Sequence, residues 1–352
     1  MHSAAANSFA KSTGIIPIRM TVGGAVEWAR AQLHAAGVSE PLREAQALVA
    51  ACLGWERAQL IAHPDALLSA RHARRLHSWV RRRAAREPLA YITRRVWFYG
   101  LELMVGRGAL IPRPETELLV EVFLSWAGSL PHSLPPPPLS REERVRVRGD
   151  SIPHAGKKFP CESAPLNLIA VPLPNLKEGV TCSPILVDVG TGTGAIALAC
   201  LTHAPHWRGV GIERSRRALC WAQANRRKLR LESRLLLVRS DWLRGVRAHA
   251  VDAILSNPPY VLRDEWDALQ PEITRYEPKG ALLTPANDPL RPYRRLARGA
   301  RHALRAGGLL AFETSPRLAP LLAEQLPAWG FPQPRVVCDY AGAMRVVWAV
   351  RE

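Results

Sequence analysis

Apolar residues in this chain follow two different patterns. Up to about residue 90 they recur every three or four positions: Leu42, Ala45, Leu48, Val49 and Cys52 share one helical face, and Ala73, Leu76, Trp79 and Val80 share another. Ser39 and Pro41 suit the cap and first turn of the earlier helix, and Ser69 opens the later one. The spacing predicts a small helical bundle over 20–90, with Arg71, Arg74, Arg75, Arg81, Arg82 and Arg83 on solvated faces. From residue 185 the apolar positions gather into short, nearly continuous runs at 185–189, 210–212, 235–238, 251–255 and 309–312, separated by more polar helical stretches. Such runs read as strands buried on both faces of a mostly parallel sheet, which makes the fold class α/β with an added N-terminal helical bundle.

Between the two patterns the character changes twice. Tyr91, Ile92, Val96, Trp97, Phe98 and Tyr99 bring β-branched and aromatic density, which predicts a linking hairpin over 91–109. The stretch 110–130 then starts the second domain. Pro112 and Pro114 stiffen its entry, and Glu115 and Glu117 sit at the positive end of a helix. Over 131–183, the prolines Pro135 to Pro138 and the charge run from Arg141 to Arg148 leave no sustained period, so a disordered insertion is expected there. A disordered tail is likewise expected over 1–19. The second domain resumes at 184 and runs to 352, closing with Val336, Val337 and the run 346–350 as strands around a turn at Ala341 and Gly342.

Two turns carry candidate chemistry. The run 251–255 delivers Asn257, Pro258, Pro259 and Tyr260 to the C-terminal end of a buried strand, the edge where open α/β sheets bind ligands. Successive prolines fix φ and remove N–H donors, so the carbonyls there are preset acceptors. Asn257 adds one donor and one acceptor, and Tyr260 a flat face, which together suit a planar group bearing an –NH2, whether a carboxamide or the amino edge of a base. The second turn is Gly190-Thr191-Gly192-Thr193-Gly194, which follows the run 185–189 and precedes a helix. With Asp188 two residues before the first glycine, its G-x-G-x-G spacing differs from the dinucleotide fingerprint. Glu213 ends the next strand where a ribose diol would lie, and Asp241 and Trp242 end the third, placing a polar group and an indole where an adenine could be held.

Composition narrows the class. No apolar run approaches the ~20 residues that span a bilayer, so no membrane insertion is expected. The formal charge of +18 is nearly all arginine, with Lys supplying six of the 48 basic residues; it reads equally as an affinity for an acidic partner and as a bias of coding composition. The six cysteines lie far apart with no metal-ligand spacing, as in a reduced cytoplasm, and no metal is expected.

This succession resembles the class I S-adenosylmethionine-dependent methyltransferases, and within them the family that methylates a glutamine of peptide chain release factors. The resemblance rests on Glu87-Pro88-Leu89-Ala90-Tyr91-Ile92-Thr93, Ile111-Pro112-Arg113-Pro114-Glu115-Thr116-Glu117, the glycine loop, Asp241-Trp242, Asn257 to Tyr260, and Arg275-Tyr276-Glu277-Pro278. It implies a Rossmann-like sheet ending in an antiparallel hairpin and a helical substrate-recognition domain over 20–90. The cofactor it implies is S-adenosyl-L-methionine, held by Asp188, Gly190 to Gly194, Glu213, Asp241, Trp242 and Asn257. It places Asn257, Pro258 and Tyr260 at the chemistry, and Asn257, Pro258, Pro259, Tyr260 and Arg113 on the substrate. The implied partners are release factors, free or ribosome-associated, with no stable DNA binding. Glutamine methylation of a ribosomal protein, adenine-N6 methylation of DNA, and an inactive RNA-associated binding protein are the alternative readings. Arg94 stands where the family usually has a glycine, and no glycine follows two residues after Glu313.

Overall fold

The structure, a computed structural model, describes residues 20–130 and 183–352. The tail expected over 1–19 and, Ser183 apart, the insertion expected over 131–183 lie outside the described residues. The described chain divides into two compact units. One holds the described residues up to Arg95 together with Leu269–Tyr276; the other holds those of Val96–Ala268 and Glu277–Glu352.

In the first unit, α1 (Val22–Ala35), α2 (Pro41–Leu53), α3 (Arg57–Ala62), α4 (Ala70–Ala84) and α5 (Leu89–Thr93) close their apolar stripes on a core that includes Trp28, Leu33, Leu48, Leu76 and Val80. Ser69 caps α4 by accepting the His72 N–H at 3.2 Å. Ser39 does not cap α2: that position falls to Glu40, without a side-chain cap, and the fixed φ of Pro41 starts the helix.

The solvated arginine face also needs correction. Arg83 is only 4% exposed and pairs with Glu44 of α2 and with Glu272. Arg86 donates to both oxygens of Glu272 at 2.8 Å, and the Tyr276 hydroxyl donates to the Ala85 carbonyl at 2.7 Å. The segment Leu269–Tyr276 thus packs with α4 and supplies an acid that no local pattern assigns to Arg83.

The expected hairpin starts later than Tyr91. Pro88 sets the entry to α5, and the Thr93 hydroxyl donates to the Leu89 carbonyl at 3.0 Å, so Tyr91 and Ile92 are helical and buried. Arg94 then turns the chain with φ 63 into β1 (Arg95–Phe98) and β2 (Leu101–Met104). A left-handed residue at a helix end explains why glycine suits this position.

The second unit is built on a seven-stranded sheet of order β5-β4-β3-β6-β7-β9-β8. Its strands are β3 (Ile185–Val189), β4 (Arg208–Glu213), β5 (Leu235–Arg239), β6 (Val251–Ser256), β7 (Leu304–Glu313), β8 (Arg335–Cys338) and β9 (Met344–Val350). The first five in that order run parallel; β9 is antiparallel to both β7 and β8, which makes the expected C-terminal hairpin. Around it lie α6 (Glu117–Gly128), α7 (Ala195–His203), α8 (Arg216–Lys228), α9 (Arg291–Ala303) and α10 (Ala319–Gln325).

Alternation along β3 shows why the apolar runs are continuous. Leu186 joins the core on one face with Phe123, Leu198 and Leu201, while Val187 and Val189 join the core on the other with Leu296, Phe312 and Phe331. β7 begins at Leu304, ahead of the apolar run 309–312, and the register slips there against Val251 and Ala253. At Gly308 a Cβ would lie 3.0 Å from the Asp252 carbonyl oxygen, so the close approach needs glycine.

Candidate active site

Strand register aligns the candidate residues in one row. Val189 of β3 pairs with Ile212 of β4 and with Ser256 of β6, and Ser256 pairs with Phe312 of β7. One residue further along each strand come Glu213, Gly190, Asn257 and Glu313, side by side at the C-terminal edge. Neighbouring strands lie about 4.8 Å apart, so Glu213 and Asn257, two strands apart, are separated by roughly 10 Å, about the span of a nucleoside with a short side chain. The Ser256 hydroxyl donates to the Val189 carbonyl at 2.7 Å and ties the two turns together where the strands end.

The glycine loop is a left-handed cradle. Gly190, Gly192 and Gly194 have φ of 76, 57 and 87, a region that favours glycine. Nothing lies within 4 Å of a Cβ placed on Gly190, whereas one on Gly194 would meet Leu198 Cδ1 at 2.9 Å. The first glycine therefore leaves room for a ligand to approach the main chain, and the last lets α7 pack. Thr191 and Thr193 are buried and support the loop from beneath. Asn225 of α8, which the sequence reading missed, donates to the Thr193 and Met104 carbonyls at 2.9 Å each and accepts the Met104 N–H at 2.6 Å, joining loop to hairpin.

Asp188 lies under this loop, fully buried. Its Oδ2 accepts the Thr191 hydroxyl at 2.6 Å and the Ala197 N–H at 3.2 Å, while Oδ1 has no hydrogen-bond partner among the described residues. Burial pushes its carboxyl up to about 6, against those two hydrogen bonds. Glu213 accepts the Gly192 N–H at 3.2 Å and the Ser215 N–H at 2.8 Å, one on each oxygen, and each oxygen keeps a second lone pair. An open cradle, an orphaned buried acceptor and a carboxylate with spare lone pairs fit a cationic nucleoside such as S-adenosyl-L-methionine.

Asp241 and Trp242 follow β5. The Asp241 carboxylate accepts from Arg295 at 2.7 Å and is half exposed, and Arg295 also stacks over the Trp242 ring at 5.2 Å. Trp242 packs against the core with φ 57, a costly conformation that persists only where the surrounding packing imposes it.

At the Asn-Pro-Pro-Tyr turn, Asn257 is half-buried and Pro258 buried. Asn257 Nδ2 donates to Thr116 Oγ1 at 3.2 Å, and the Tyr260 hydroxyl donates to Glu313 Oε1 at 3.0 Å. Burial and the Glu313 carboxylate push the Tyr260 hydroxyl well above the usual range for a phenol. Arg113 is engaged by the Glu277 carboxylate, which also accepts the Ile111 N–H at 3.0 Å. This ties Glu277 to the segment 111–117 and keeps Arg113 near enough to Tyr260 to act on its hydroxyl electrostatically. Thr116 and Glu313 were not singled out as site residues in the sequence. Thr116 lies in the proline-stiffened entry to the second domain, and Glu313 is one acid ending one strand.

The model described as PrmC N-terminal domain matches residues 24–93, and that described as Methyltransferase small domain matches residues 173–298. A protein of Caulobacter vibrioides called release factor glutamine methyltransferase is 30% identical over 323 residues, which cover 92% of this chain and 94% of that one. Its namesake from Cereibacter sphaeroides is 33% identical over 330 residues, covering 94% and 98%. Among solved structures, the ribosomal protein L11 methylase of Lactobacillus delbrueckii subsp. bulgaricus aligns at 13% identity with a TM-score of 0.40, over 70% of this chain and 84% of that one.

Proposed function

Since this chain belongs to the release factor glutamine methyltransferase family, we propose that the row Glu213, Gly190, Asn257 is where its cofactor and acceptor glutamine meet. The protein is an S-adenosylmethionine-dependent methyltransferase acting on the side-chain amide nitrogen of a glutamine in a peptide chain release factor. When bound, S-adenosyl-L-methionine supplies a methyl group activated by a sulfonium. Gly190 to Gly194, Asp188 and Glu213 would hold it, with Asp241 and Trp242 at its base.

A carboxamide nitrogen is a poor nucleophile because its lone pair is shared with its carbonyl. The protein must therefore orient it and favour the charge that develops on it. Asn257 Oδ1 and the Pro258 carbonyl accept the two amide hydrogens, and Tyr260 packs against the amide plane. Because these acceptors are fixed before substrate arrives, they need no reorganisation as the bond forms. Arg113, held by Glu277, lies beside Tyr260 at the substrate side of the site. The release factor is met free or on the ribosome, where the formal charge of +18 favours encounter with a polyanion.

The observation that carries this reading is the Asn257–Thr116 hydrogen bond, which spends the donor end of the Asn amide and leaves its acceptor end for substrate. Asn257→Ala should lower kcat on the order of 10²- to 10³-fold or more, the usual cost of one preorganised transition-state partner, while calorimetry detects cofactor binding largely intact. Near-normal turnover would overturn the assignment. Tritiated methyl transfer offered release factor, ribosomal protein and DNA in parallel should label only the release factor, and only while its acceptor glutamine is intact.

A further inference from the structure

Every exposed residue of α9 is basic: Arg291, Arg295, Arg298, Arg301 and His302. At 3.6 residues per turn, Arg291, Arg295, Arg298 and His302 line one stripe, opposite Tyr293, Leu296 and Ala300, which enter the core. Folding alone gives no reason for such a stripe. Like charges three or four positions apart repel on a helix, and Arg291 sits in the first turn, at the positive end of the dipole. A solvated face gains from acids set among its bases, and α9 contains none. A coding bias raises arginine throughout a chain and does not clear one face of acids.

A neighbouring segment widens this face. Leu243 packs so closely on α9 that a Cβ at Gly299 would lie 3.0 Å from its Cδ1. Further along, the His249 and Ala250 N–H groups donate to the His302 and Ala303 carbonyls at 3.0 and 2.9 Å. Arg244 and Arg247, exposed between these anchors, are thus held beside the helix. Arg301 lies over Gly330, where a Cβ would meet its Cδ at 2.8 Å. The acids bonded to the face are each engaged, Asp241 by Arg295, Asp288 by Arg294 and Asp252 by Arg305. Among the described residues, the side chains of Arg244, Arg247, Arg298 and Arg301 form no ion pair or hydrogen bond.

What the face lacks narrows its partner. None of the exposed large hydrophobic residues among those described lies on α9 or on 243–250. Protein interfaces draw most of their affinity from buried aromatic and aliphatic anchors, and a helix that lies on a membrane buries an apolar face in lipid; the apolar face of α9 is already in the core. A phosphate backbone needs only cations, and the planar guanidinium matches phosphate with paired hydrogen bonds. From Arg291 to Arg301 the helix rises about 15 Å, a length over which one strand of a duplex presents roughly four phosphates. Resting on the assignment of a release factor as substrate, whose own place of work is the RNA-rich ribosome, we propose that α9 and 243–250 form a docking surface for the phosphate backbone of RNA. Docking there raises the concentration of the enzyme where its substrate acts and takes no part in methyl transfer.

The test titrates a fluorescent RNA hairpin with the full chain over a range of salt concentrations. A surface variant carries Arg244→Gln, Arg247→Gln, Arg298→Gln and Arg301→Gln, and a control loses the same charge elsewhere through Arg57→Gln, Arg74→Gln, Arg208→Gln and Arg227→Gln. Each phosphate contact contributes about 0.7 to 0.9 to the slope of log K against log salt, so the surface variant should lose about 3 from that slope and at least about tenfold in affinity near ~0.1 M salt, and the control less than about 1 from the slope. Cofactor binding by calorimetry reports that both variants fold, and methyl transfer to free release factor without RNA should equal wild type in the surface variant. Equal losses in the two variants would assign the binding to net charge and overturn the proposal. Tighter binding of wild type to polyglutamate, to phosphatidylglycerol vesicles or to a DNA hairpin of the same sequence than to the RNA would overturn it too. If the wild type binds RNA but labels no release factor, the substrate assignment fails and the surface stands. If it labels the release factor while the surface variant binds RNA as wild type does, the surface alone fails.

Discussion

Asp188→Asn should stabilise the folded protein at alkaline pH and do so progressively less as pH falls. Its carboxyl is fully buried and raised from 3.8 to about 6, mainly by burial. A folded-state value above the unfolded one means that the native state favours the protonated acid. The contribution of Asp188 to stability is therefore complete below about pH 4 and is lost as pH rises through 6. At about 1.4 kcal/mol per pH unit, ionisation inside the fold costs about 3 kcal/mol by pH 8 and about 1 kcal/mol at pH 4.5. Asparagine, neutral like the protonated acid, cannot ionise and escapes this cost; the stronger bond from Thr191 to the charged carboxylate is already contained in the raised value, which that hydroxyl opposes. The variant should thus gain about 3 kcal/mol over wild type at pH 8 and about 1 kcal/mol at pH 4.5. Urea unfolding of the cofactor-free protein at both pH values, fitted with a common m-value, measures the difference. A difference that does not change with pH would refute the reasoning, because every other titrating group, Glu313 included, is common to both proteins. Cofactor affinity should fall in the same variant, since an amide in place of the carboxylate removes a negative charge from beneath the glycine loop.

Two further outcomes test the helical unit. Arg83→Met should destabilise by about 3 kcal/mol, the cost of leaving a buried carboxylate unpaired, because Glu44 loses its partner while Glu272 keeps Arg86; adding Glu44→Gln should recover part of the loss in urea unfolding. Arg94→Gly should raise stability by up to about 1 kcal/mol, since φ 63 strains any residue with a Cβ but not glycine, and a lowered midpoint in thermal unfolding would refute the strain argument.

The parts of this molecule that the sequence made legible share one physical feature: their cause is local. The strands 185–189 and 251–255 were readable because burial on both faces leaves each apolar but for one aspartate, Asp188 and Asp252, and Asn257 stood out because two prolines beside it set its backbone without help from elsewhere. The hairpin boundary failed on a local competition, since Tyr91 and Ile92 have strand-like side chains but follow Pro88, which starts a helical turn. Arg83 and Glu313 could not be read in the same way. The partner of Arg83 on Leu269–Tyr276 arrives from far along the chain, and the pattern around Arg83 is that of any solvated helix face. Glu313 looks like any acid ending a strand until the pairing of Ser256 with Phe312 places it beside Asn257. The consequence for the site is directional. The turn supplies a side chain able to donate or accept, and a non-local neighbour, Thr116, takes its Nδ2 and leaves Oδ1 as the free end. Specificity for an amide that must have both hydrogens accepted therefore depends on the residues that no local pattern identifies.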